Sequence, residues 1–140
     1  MNSRIAALAV LAAFALAPAY ADTVKYKATL NGATEVPAND TKGTGAIEAS
    51  YDTATKTLTW SGEYAGLTGP AVAAHFHGPA APGTNAGVLV PVDAKASPFK
   101  GSATLTDDQA KDFADGKVYF NVHTAANKGG EIRGQLAPAQ

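Results

Sequence analysis

From Thr23 onward the chain is a succession of short runs in which apolar and polar residues alternate, each closed by a Gly, Pro or Asn-Gly breaker. Period-two alternation puts one side of a run in a core and the other in water, the pattern of a half-buried strand. Val24, Tyr26, Ala28 and Leu30 share one side of the first run, which Asn31-Gly32 turns. A second run covers 46–51 after the loop 41–45, positions 52–56 form a hairpin-sized turn, and 57–64 is rich in β-formers around Trp60. Positions 67–70 break the chain before a run at 71–77. The apolar run at 88–92 carries Pro91, which suits an edge strand or a strand end. After a further strand at 101–105, Thr106 opens one short helix. Thr106 and Gln109 have capping-box spacing, Asp107 and Asp108 complement the helix N-terminus, and Gly116 closes it. A hairpin of 117–124 and 131–137 ends the chain. Short strands at regular intervals with a single helix predict an all-β Greek-key β-sandwich.

The first 21 residues read as a secretory signal: one positive charge in the opening four residues, an apolar run at 5–17, and Ala19-Tyr20-Ala21 as a cleavage motif. The run is shorter than the roughly 20 residues a membrane span requires. The expected mature protein is therefore one domain, 22–140, in a periplasm or secreted. Zero cysteines exclude a disulfide framework, a lipid anchor, thiolate ligands and a cysteine nucleophile. A net charge of -1 offers no basic patch to nucleic acid or to an anionic membrane, so neither is expected as a partner.

The chain has three histidines. His75 and His77 lie two apart in the run 71–77, so their imidazoles share a face, opposite an apolar set of Val72, Ala74 and Phe76. His123 lies in a second run whose core residues are Val118, Phe120 and Val122, so it too points away from the core. Imidazole suits copper, zinc, nickel and iron. With no cysteine, and with the only methionine at position 1, a blue-copper or methionine-based Cu(I) site is excluded. An N-terminal histidine ligand is also excluded, since the expected first residue is Asp22. A nitrogen-only site remains, suited to copper, or to zinc with an open fourth position. On the last strand Ile132 and Leu136 are core residues, which places Arg133 across from the face carrying Tyr119, Asn121 and His123. There a guanidinium would guide a small anion to the metal.

Each feature has a plainer reading. His-x-His occurs without a metal, and histidines also serve loop packing. Arg133 reads more simply as a surface ion-pair partner of Glu131 or of an acidic loop residue. Glu35, before Val36-Pro37, is a turn residue or a carboxylate near the ligand shell, and Asp107, Asp108 and Asp112 are helix-end or solvated charges. No Ser-His-Asp order, phosphate loop or carboxylate pair for hydrolysis is present.

The segments Leu30-Asn-Gly-Ala-Thr-Glu-Val-Pro37, Gly43-Thr-Gly45, Ala74-His-Phe-His-Gly-Pro-Ala80 and Leu105-Thr106 resemble the CHRD (chordin-type) domain family. So do Val118-Tyr-Phe-Asn-Val-His-Thr-Ala-Ala-Asn127 and Gly129-Gly-Glu-Ile-Arg-Gly-Gln-Leu136. That resemblance implies a secreted β-sandwich module and leaves its activity open. More distantly, the histidine pattern is similar to copper-zinc superoxide dismutase, with His-x-His on one strand, a third histidine on a late strand and an arginine near the C-terminus. This second resemblance implies His75, His77 and His123 as copper ligands and Arg133 as anion guide. The fourth copper histidine, the bridging histidine, the zinc cluster and the disulfide of that family have no counterpart here. An immunoglobulin-like sandwich is the alternative topology. Three functions are therefore expected in order: an exported copper-binding protein, a non-catalytic extracellular module with a protein or matrix partner, and a copper-only superoxide dismutase-like enzyme.

Overall fold

The computed structural model describes residues 13–17 and 22–139. The expected export signal and its cleavage motif therefore lie outside the described residues, apart from 13–17. The chain forms β1 (Thr23–Asn31), β2 (Thr44–Asp52), β3 (Thr57–Ala65), β4 (Ala71–His77), β5 (Val88–Val92), β6 (Phe99–Thr104), α1 (Asp107–Ala114), β7 (Tyr119–Thr124), β8 (Ile132–Gln135) and the short β9 (Ala137–Pro138).

Every strand pairing is antiparallel, in the order β5-β4-β7-β8-β1-β2-β3-β6, with β9 on β1. The ribbon folds into two layers, β5-β4-β7-β8 and β1-β2-β3-β6, joined where Asn31 faces Arg133. At that join a Cβ on Gly134 would lie 2.1 Å from the Thr29 carbonyl oxygen, so only glycine allows the approach. The all-β Greek-key sandwich expected from the alternation is the observed architecture, and β5, with Pro91, is an edge strand.

Aromatic side chains from both layers meet in the middle. Trp60 of β3 packs edge-on against Phe76 of β4 with centroids 5.4 Å apart, and Phe99 of β6 stacks on Phe120 of β7 at 5.7 Å. The one helix closes an end of this core. Phe113 inserts between Tyr26 and Phe76, 5.5 Å from each. The capping box forms as its sequence predicts: Thr106 Oγ1 accepts from the Gln109 amide, and Gln109 Oε1 accepts from the Thr106 amide.

One core expectation is corrected. Val72 is 50% exposed, and Ala71 takes the buried place instead. Against β7, Ala71 faces Thr124 and Ala73 faces His123, so β4 carries one extra residue there. Such a bulge resets the alternation upstream of it and leaves His75 and His77 in phase with the sheet. Among the described residues no helix is long and apolar enough to cross a membrane.

Candidate metal centre

The pairing of β4 with β7 assembles the histidines. In register Ala73 faces His123, His75 faces Asn121, and His77 faces Tyr119. Phe76, Phe120 and Val122 take the core side, so His75, His77 and His123 converge on the outer face, each offering a ring nitrogen within 4.8 Å of the others. His75 Nδ1 lies 3.1 Å from His123 Nε2. Two nitrogens bound to one ion at about 2.0–2.1 Å are this far apart when the angle between them is about 100°.

One hydrogen bond fixes the His123 tautomer. The Lys128 carbonyl only accepts, so His123 donates from Nδ1 at 2.8 Å and keeps its Nε2 lone pair for His75 or for an ion. His77 faces an oxygen on each side, with Nδ1 3.1 Å from the Ala86 carbonyl and Nε2 2.9 Å from Asn121 Oδ1, so the neutral ring donates to one or the other. Both His77 nitrogens therefore have protein partners, and for His77 to bind an ion one of them must let go. Burial lowers the His75 pKa, and the neighbouring His123 and His77 lower it further. Burial lowers His77 as well, outweighing the bonds to Ala86 and Asn121 that would raise it. Both rings are thus held in the neutral form that a metal requires.

The outer face extends across β8 as a stack. His77 lies flat on Tyr119, with centroids 4.8 Å apart and planes 9° from parallel. The Arg133 guanidinium covers the same ring, its carbon 3.4 Å from the centroid. Since β7 runs between β4 and β8, the Tyr119 ring stands between Arg133 and His77. Arg133 faces Asn121, the register expected from the sequence. Arg133 is only 2% exposed, and its guanidinium donates to Asn85 Oδ1 and to the Thr84 carbonyl in the loop 79–87.

Glu131 and Arg133 do not form the exposed ion pair that their sequence spacing suggests. Glu131 is fully buried, and among the described residues the ion pairs join Lys56 to Asp107 and Lys111 to Asp115. Its carboxylate is instead held by hydroxyls and amides. Thr41 Oγ1 at 2.9 Å, Thr68 N at 2.9 Å, Thr124 Oγ1 at 2.8 Å, Asn127 Nδ2 at 3.1 Å and Thr68 Oγ1 all donate to it. Burial alone would raise its pKa. These bonds overcome that and hold it at about 2.

Glu35 is likewise buried, beside Asn121. A Cβ on Gly130, whose φ is 128°, would lie 2.3 Å from Glu35 Oε1 and 2.5 Å from Asn121 Nδ2. Burial pushes the Glu35 carboxyl up to about 7 against the lowering influence of Asn121 and Arg133. Asn121 turns its Oδ1 toward His77 Nε2 and donates from Nδ2 to the Gly129 carbonyl at 3.4 Å, while Glu35 Oε1 stays buried without a hydrogen-bond partner. Alternation within strands locates the histidines, but nothing local marks Glu131, whose donors Thr41 and Thr68 come from distant loops, or Asn121, which meets His77 only through the pairing of β4 with β7.

The CHRD domain model matches residues 26–136, nearly the whole sandwich. The chain belongs to the CHRD domain family. Neither the curated proteins nor the solved structures contain a match to it. All three histidines of this CHRD domain, together with Glu35, Asn121, Glu131 and Arg133, fall within the matched stretch.

Proposed function

We propose that this CHRD domain is an exported copper-binding protein, with His75, His77 and His123 as ligands and zinc as the alternative ion. One observation carries the reading: three imidazoles from two adjacent strands, on the face away from the core, bring ligand atoms within 4.8 Å of one another. Nitrogen donors with no sulfur suit Cu(II). The Lys128 carbonyl supplies the outer hydrogen bond that a metal-binding histidine ordinarily has. His75 and His123 form the pre-set pair, and His77 completes the site by turning Nε2 from Asn121 to the ion. The apolar run and Ala19-Tyr20-Ala21 at the N-terminus support export to a periplasm or beyond.

Titration of the purified protein with Cu(II), Cu(I) and Zn(II) tests the reading. The expected result is one tight site per chain, lost in His75→Ala and in His123→Ala and weakened in His77→Ala. Affinity falls below about pH 6, where free imidazole protonates.

A second reading is favoured by the hydrogen bonds of His77, both of whose nitrogens are already occupied. On that reading the histidines tie loop 79–87 to the sheet of a non-catalytic extracellular module with a protein or matrix partner. A melting temperature unmoved by copper or zinc selects it over the first.

A further inference from the structure

Arg133 is a buried cation, 2% exposed, with no carboxylate at ion-pairing distance among the described residues, although the buried Glu35 carboxyl is close enough for its charge to be felt. A guanidinium carries five N–H donors, of which Asn85 and Thr84 each take one, while Tyr119 covers one of its faces. Charge removed from water without a counter-charge is costly unless something completes it. The space for a partner is present. Arg133 lines a partly open cavity of about 290 Å³, together with Ala33, Thr34, Glu35, Val36 and Pro82. None of the three histidines borders it, and the Tyr119 ring lies between them and the guanidinium.

The walls state the chemistry of the occupant. Ala33, Val36 and Pro82 are apolar, and Arg133 and Glu35 are the two ionisable groups at its border. A planar donor fork matches a carboxylate better than it matches a spherical ion. The cavity lies at the small end of the range for ligand sites, so the occupant is short. We propose that this cavity binds a short-chain aliphatic carboxylate, with its carboxylate on the remaining Arg133 N–H groups and its tail against Ala33, Val36 and Pro82. Glu35 does not oppose such an anion below neutral pH, because burial there preserves its proton. The site owes nothing to the histidine cluster, and the proposal stands whether or not a metal binds.

The test is an NMR titration of the isotope-labelled chain with butyrate at pH 6 in the presence of a chelator, with chloride and inorganic phosphate as comparators. Saturable shifts confined to the amides of 33–36, 83–85 and 133 are expected. Ala33→Leu, a substitution at an exposed loop position that fills the cavity, abolishes them with the melting temperature unchanged. Arg133→Lys retains the charge but loses the fork, and weakens binding by about tenfold or more. No saturable shift with butyrate overturns the proposal, as does binding that survives Ala33→Leu. Chloride or phosphate binding as tightly as butyrate also overturns it, by reducing the cavity to a bare anion site.

Discussion

Glu131 shows how much one buried charge can organise when hydrogen bonds replace a counter-ion. Its donors come from the β1–β2 connection, the β3–β4 connection and the β7–β8 hairpin, so one carboxylate ties three loops together. With its pKa held at about 2 in the folded chain, against the usual 4.5, the unfolded chain binds the extra proton between those values. Stability from this group is therefore complete above about pH 5 and drains away as pH falls toward 2, by about 3 kcal/mol in all. Glu131→Gln should lower the melting temperature at pH 7 and remove most of that acid slope, as thermal denaturation across pH 2–7 will record. Glu35 has the opposite sign. Its folded pKa of about 7 lies above the unfolded value, so the folded chain holds the extra proton and stability declines as pH rises from about 4.5 to 7. Glu35→Gln should flatten that decline and leave the protein more stable than wild type at pH 8. A variant with an unchanged slope over that window would refute the assignment.

At the scale of elements the sequence is informative wherever a rule is local. Alternation located the strands because each buries one face, and the Thr106–Gln109 pair located the helix because both halves of a capping box lie within one turn. Thr106→Ala should cost about 1 kcal/mol, read from chemical denaturation. The histidine face was legible for the same reason as the strands: period two fixes which side His75, His77 and His123 take. Val72 was misplaced because a bulge depends on how two strands pair, and alternation along β4 alone carries no mark of it. The bulge has a measurable consequence. Val72→Thr should change stability by no more than about 0.5 kcal/mol, as at an exposed site, whereas Phe76→Ala should cost about 3–5 kcal/mol. Phe76 bears that cost because it touches Trp60, Phe113 and Phe120 at once.

For the whole molecule, the two-layer sandwich leaves one outer face carrying a graded row of polar groups: the histidine cluster, the Tyr119 ring, and the buried guanidinium with its cavity. The buried half of that row was hidden in the sequence. Arg133 and Glu131 read as surface charges until the loops 79–87 and 41–43 are folded over them, and those closures are set by contacts between residues far apart in the chain. The histidine half bears the central claim. Electron spin resonance of the chain loaded with one equivalent of Cu(II) tests it most directly. The proposal predicts a single axial spectrum with nitrogen couplings, reduced in His77→Ala and replaced by the spectrum of free copper in the His75→Ala, His123→Ala double variant. A wild-type spectrum indistinguishable from that of the variant lacking all three histidines would contradict it.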